Sequence, residues 1–186
     1  VSSVAFAPDD SRLYSGGKDG FIREWSTLPK KKRDSVLVPF DEDWRTAAMS
    51  RDGSAFAVIW RSGLVTVWDV LQGKRIARLE LPPLLETDEL PFAVSNKGRW
   101  IATVLEDGSI GTWNLHEENP EQLTFEPIDG VNHPTIEFSP TEDALFVLRP
   151  DGQLDKITLP SLQRTTLLPP QSETASAHSV SFSDDG

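Results

Sequence analysis

Cysteine is absent from this chain of 186 residues, and methionine and tyrosine occur once each. Without cysteine there is no disulfide framework, no thiol nucleophile and no cysteine-based zinc site. The same absence fits a reducing compartment, so an intracellular setting, cytoplasmic or nuclear, is expected. Histidine is scarce: His116, His133 and His178 are the complete set. No two of them have the i, i+4 spacing of a helical zinc site, and no metal or cofactor is expected. No Gly-x-Ser-x-Gly nucleophile elbow occurs. No apolar run approaches the ~20 residues of a membrane-spanning helix. Positive charge is also short, with 18 basic residues against 29 acidic ones and a formal charge of −11. Nucleic-acid binding needs a positive footprint, so nucleic acid is not expected as a direct ligand. A basic partner fits the excess of acid, although much of that charge serves solubility.

What the chain does have is repetition. Four copies of one signature place a small-residue turn before an apolar strand. They read Asp19-Gly20-Phe21-Ile22-Arg23-Glu24-Trp25, Ser62-Gly63-Leu64-Val65-Thr66-Val67-Trp68, Asp107-Gly108-Ser109-Ile110-Gly111-Thr112-Trp113 and Asp151-Gly152-Gln153-Leu154-Asp155-Lys156-Ile157. The turn glycines are 43, 45 and 44 residues apart. A second marker, an apolar residue followed by a polar turn, begins at Phe6, Met49, Val94, Phe138 and Phe182 with the same period. A repeat of this length, rich in strand formers, predicts a row of small sheets rather than one core.

Each unit reads as four short strands. In the second unit these end at Met49, cover Ala55 to Trp60, cover Val65 to Trp68, and run from Ile76 to Leu81. The first three are apolar, and the last alternates as an outer strand would. Ile22, Val65, Ile110 and Leu154 stand three places before Trp25, Trp68, Trp113 and Ile157. An offset of three in a strand puts the two columns on opposite faces. Sheets buried on both faces need a neighbour on each side, which radially stacked blades provide. Trp25, Trp68 and Trp113 are therefore expected to pack between blades.

The pattern resembles the WD-repeat β-propeller family. The resemblance rests on the string Val4-Ala5-Phe6-Ala7-Pro8-Asp9-Asp10, the tight turn Lys18-Asp19-Gly20 and the dipeptide Trp68-Asp69, and it covers essentially the whole chain. It implies an all-β fold of four-stranded antiparallel blades. The repeats are divergent: Trp-Asp occurs once, replaced elsewhere by Trp25-Ser26, Trp113-Asn114 and Ile157-Thr158. The family's Gly-His pair is missing from every repeat. Of the structural hydrogen-bond network that the family builds from that His and the turn Asp, only Asp19, Asp107 and Asp151 remain. The units are expected at about 1–40, 41–88, 89–131 and 132–176, with a further unit starting at 177–186. The chain begins inside an inner strand and stops in a turn, and so reads as an arc of a larger propeller.

The resemblance also implies that the module docks a protein or peptide partner on one rim, without catalysis. The inner-strand entrances and the tight turns cluster there, and in this sequence they present Lys18, Trp44, Arg45, Arg61, Glu106 and His133. Trp44 is off the core columns and is the aromatic candidate for an exposed anchor. Asp41, Glu42 and Asp43 beside it favour a partner segment carrying Lys or Arg. The run Pro29-Lys30-Lys31-Lys32-Arg33-Asp34 is similar to a nuclear-localisation signal and equally suits a solvated loop tip. The polar connections Leu81 to Leu90, His116 to Asn132 and Leu168 to Ala177 read mostly as solvated surface. The alternative is a substrate-gating or catalytic propeller domain of a larger hydrolase. A channel Ca²⁺ would need about six to eight oxygen ligands, and the entrances offer only Asp43, Glu89 and Asn132.

Overall fold

A computed structural model of the chain describes residues 3–6, 11–16, 21–27, 35–39, 44–70, 72–87, 89–117, 122–125, 134–141, 143–171 and 180–183. Among them are four antiparallel sheets of four strands, each a meander of consecutive strands. The first holds β1 (Ser3–Phe6), β2 (Arg12–Gly16), β3 (Phe21–Ser26) and β4 (Ser35–Pro39). The second holds β5 (Trp44–Met49), β6 (Ala55–Trp60), β7 (Leu64–Asp69) and β8 (Lys74–Glu80). The third holds β9 (Phe92–Val94), β10 (Trp100–Val104), β11 (Ile110–Asn114) and β12 (Gln122–Phe125). The fourth holds β13 (Thr135–Phe138), β14 (Ala144–Leu148), β15 (Leu154–Thr158) and β16 (Gln163–Leu168). This is the blade arrangement of a partial β-propeller, as the repeat predicts.

The core lies between sheets. Every residue of β6 is buried, and its alternate side chains serve two different neighbours. Ala55, Ala57 and Ile59 join Val94, Ile101 and Trp113 of the third blade, whereas Phe56, Val58 and Trp60 join Tyr14 of the first. That division is the two-residue period of a strand buried on both faces. The columns three residues apart separate in the same way. Val65 faces the third blade while Trp68 packs toward the first. Ile110 faces the fourth blade while Trp113 packs toward the second. Each fully buried large side chain contributes about 1.5–3 kcal/mol relative to exposure.

One expectation needs correction. Trp25 is 41% exposed rather than packed between blades. In each repeat this column faces the preceding blade, and no sheet precedes the first among the described residues. Its indole N–H instead donates to Ser15 Oγ at 2.7 Å.

The turns take the form the glycines require. Gly63, Gly108 and Gly152 have φ of 83°, 80° and 81°, a region that a β-carbon disfavours. Asp107 Oδ1 accepts the backbone N–H of Ser109 at 2.9 Å and its hydroxyl at 2.5 Å. Asp151 accepts the N–H of Gln153 at 2.9 Å. Beyond the fourth blade, the ring of Phe182 meets Phe146 edge-on, with centroids 4.8 Å apart. Leu145 and Val147 face the third blade, so Phe146 points to the opposite face of β14, where Phe182 covers it.

Candidate partner-binding rim

The turns β6–β7 and β10–β11 share one rim with the start of β5. Trp44 lies opposite Trp60 in the β5–β6 ladder, immediately before the turn that carries Arg61. It is half-buried and packs against the cluster of Tyr14, Phe56, Val58, Trp60 and Val70. Arg45 is more enclosed, with its side chain only 13% exposed. Its guanidinium donates to the Leu85 carbonyl and stands 3.7 Å from the Glu86 carboxylate, which is 92% exposed.

Arg45 therefore clamps the connection between the second and third blades. That connection is itself structured. Leu84 forms a bridge with Leu105, and the Glu106 N–H donates to the Pro83 carbonyl at 3.0 Å. Leu84 and Leu90 are buried, so this stretch is less solvated than its acids suggested. Arg45 and Glu106 are thus joined through one connection, and the residues Arg61 and Glu106 are exposed. Lys18 and His133 lie outside the described residues, as do Asp19, Gly20, Lys30 to Arg33, Asp41 to Asp43, Asn132 and His178.

The inner strands surround a cleft of about 290 Å³ lined by Met49, Arg51, Phe92, Ile136 and Glu137, among others. Arg51, just after β5, reaches across it to Glu137 of β13 at 3.7 Å and donates to the Phe182 carbonyl at 2.7 Å. Burial pushes the Glu137 carboxyl above its ordinary range, and the Arg51 charge offsets only part of that. Among the described residues, no group of three or more His, Asp or Glu could hold a metal ion. Among them also, no helix is long and apolar enough to cross a membrane.

The opposite rim shows what sequence reasoning missed. Ser50 Oγ accepts the Ala55 N–H at 2.8 Å, and Ser95 Oγ accepts the Trp100 N–H at 2.8 Å. The serine after Met49 and after Val94 thus closes its own turn. The signal was present, because a serine also follows Phe138 and Phe182. Equivalent positions then link blade to blade. Asp52 donates its N–H to Asn96 Oδ1 at 3.1 Å, and Asn96 Nδ2 donates to the Pro140 carbonyl at 2.9 Å. The Lys97 N–H donates to Asp52 Oδ2 at 3.1 Å, and Arg99 pairs with Asp143 at 2.5 Å. Burial works to raise the Asp52 pKa. Hydrogen bonds from the Ser50 and Ser54 hydroxyls and from the Ser54 and Lys97 N–H groups outweigh it and hold the group below the usual range. At the exposed Asp107, the Ser109 hydroxyl and N–H likewise lower the carboxyl pKa.

No family model matches the chain. It is similar to the protein LST8 homolog of Drosophila melanogaster, with 22% identity over 127 residues covering 68% of this chain and 40% of that protein. It is also similar to the small ribosomal subunit protein RACK1y of Oryza sativa subsp. japonica. There the identity is 26% over 120 residues, covering 63% of this chain and 34% of that protein. The chain matches well under half the length of either curated relative.

Proposed function

We propose that this chain, whose blades and repeats are those of a divergent WD-repeat β-propeller segment, is a non-catalytic protein-interaction scaffold. It docks a partner protein or peptide on the rim that carries Trp44, Arg45, Arg61 and Glu106. The observation that carries this reading is the connection Pro83–Glu86. It is pinned by Arg45 on one side and by the Glu106 backbone on the other. A fixed connection offers its exposed groups without an ordering cost, which is how a rigid scaffold presents recognition loops.

The exposed carboxylate of Glu86 and the exposed residue Glu106 favour a partner segment containing Lys or Arg, with association that weakens as salt rises. An intracellular setting, cytoplasmic or nuclear, goes with the cysteine-free composition. The name of one relative, a small ribosomal subunit protein, supports placement within a larger assembly.

The test is partner capture by the complete protein carrying Arg61→Ala with Glu106→Ala. Both residues are exposed, so melting should hold while capture weakens. Unchanged capture with unchanged melting moves docking to another surface. Trp44→Ala is a poorer probe, because Trp44 also packs on the core.

A further inference from the structure

The repeat register exposes three positions at which the fourth blade departs from the second and third. Three positions are set by the turn glycine: three residues before it, three after it and five after it. The second blade fills them with Trp60, Thr66 and Trp68, and the third with Leu105, Gly111 and Trp113. The fourth fills them with Arg149, Asp155 and Ile157. In the third blade the Trp113 ring lies directly over Gly111, where a β-carbon would stand 2.5 Å from it. Asp155 forbids that placement, and Ile157 does not supply the ring.

A pocket of about 290 Å³ stands at this place between the third and fourth blades. Its floor is Ile110, Val147 and Ile157, all buried, and Phe125 forms a half-buried wall. Arg149 and Arg164 line it, the latter with its side chain 48% exposed. Both guanidiniums hold the same oxygen of Asp155, at 3.2 and 2.7 Å. The carboxylate also accepts from the Thr166 hydroxyl at 2.7 Å and from the Gln153 amide at 3.0 Å, so its capacity is filled. The buried Arg149 Nε is left with no partner. Two cations against one anion leave a local positive charge in a chain of net charge −11. A buried unpaired donor is costly, and a charged acceptor is its strongest remedy.

We propose that this pocket seats an aromatic side chain of a partner peptide whose neighbouring carboxylate meets Arg149 and Arg164. The ring takes the apolar space that Trp113 fills one interface earlier. The carboxylate supplies the second anion that the arginine pair lacks. This site lies between blades, beside the outer strands β12 and β16, and does not depend on the rim reading above.

The test uses the complete protein with methyl-labelled Ile and Val and the probe peptide Ac-Ser-Gly-Trp-Glu-Gly-NH₂. Peptides with Glu replaced by Gln and with Trp replaced by Ala serve as controls. Saturable shifts at the Ile110, Val147 and Ile157 methyls, at least tenfold weaker for either control, are expected. The double variant Asp155→Gly, Ile157→Trp supplies the missing ring from within, over the glycine that the ring requires, and should abolish those shifts. Arg164→Gln should weaken the acidic peptide at least tenfold while leaving the Gln control unchanged, and it carries the test if the double variant fails to fold. No shift at millimolar peptide, or equal binding of acidic and neutral peptides, overturns the proposal. So does binding that survives a folded Asp155→Gly, Ile157→Trp variant. Binding of free indole-3-acetate without binding of the peptide overturns it as well, in favour of a small-molecule site.

Discussion

The interface between the second and third blades and the one between the third and fourth are built on the same backbone, each around an apolar core, and they differ in chemistry at one place. The first is sealed by Trp113, Ile101 and Leu105 against Ala55, Ala57 and Ile59. The second, at the corresponding positions, holds Asp155 with Arg149 and Arg164 beside a pocket. The difference shows that the repeat specifies strand pairing and turn shape more tightly than it specifies interface filling. Backbone hydrogen bonds and φ-positive glycines recur in every described turn of this kind. The side chains between blades are replaceable as a group, provided that polarity and volume change together.

The sharpest way to break the comparison is to cut one member of the polar group. Asp155→Ala should destabilise by about 3–5 kcal/mol, because it leaves Arg149 buried without its carboxylate. Transplanting the third blade's solution should reverse the loss. The triple variant Arg149→Leu, Asp155→Gly, Ile157→Trp is expected to be at least as stable as the original in urea unfolding. A triple variant less stable than Asp155→Ala alone would show that the two interfaces are not interchangeable.

The tryptophan column gives the next largest effects, graded by exposure. Trp113→Ala should cost about 3–5 kcal/mol, as for a fully packed aromatic. Trp68→Ala should cost less, about 2–3 kcal/mol, because Trp68 is half-buried. Trp25→Ala should cost under about 1 kcal/mol, because its ring has no blade against it here. Equal losses at all three would mean that Trp25 is covered in the complete protein.

The turns, which both regions share, should respond alike. Gly63→Val and Gly108→Val each force a β-branched residue to φ near 80° and should cost about 1–3 kcal/mol by thermal melting. A difference between them would locate blade-specific strain in what looks like a common device.

The smallest effect is on pH dependence. The carboxyls of Asp155 and Asp52 lie below their ordinary range. At Asp155 burial pushes the other way, and the hydrogen bonds from Arg164, Thr166 and Gln153 together with the Arg164 charge prevail. Their stabilisation is therefore present above the unfolded carboxylate value and lost as pH falls through the depressed native one. Asp155→Asn should flatten that acid loss. Glu137 has the opposite sign, since its raised pKa favours the protonated form in the folded state. Stability contributed there grows as pH falls through the raised value, and Glu137→Gln should remove that gain. Melting temperature followed from pH 7 to pH 3 separates the two slopes.

The sequence makes the periodic features legible because they are local. The turn glycines, the four-strand units and the opposite-facing columns Val65/Trp68 and Ile110/Trp113 all follow from spacing within one repeat. What escaped it depends on a neighbour. Trp25 reads like Trp113, but among the described residues no sheet stands against its face. Arg45 looks like a surface arginine, yet its acceptor is the carbonyl of Leu85, 40 residues on. The links Asp52–Asn96 and Asn96–Pro140 span 44 residues each and join positions that look like ordinary turn formers.

Those rim links have a consequence for how the molecule breathes. The amide of Lys97 sits in a surface turn, where hydrogen exchange is ordinarily fast. Here its proton is held by Asp52 and by the Ser54 hydroxyl at 3.1 Å, both from the neighbouring blade. Its exchange therefore waits for separation of the second blade from the third, whatever the freedom of its own turn. That single amide, like the Asp52 amide held by Asn96, is a built-in clock for the opening of a seam between blades.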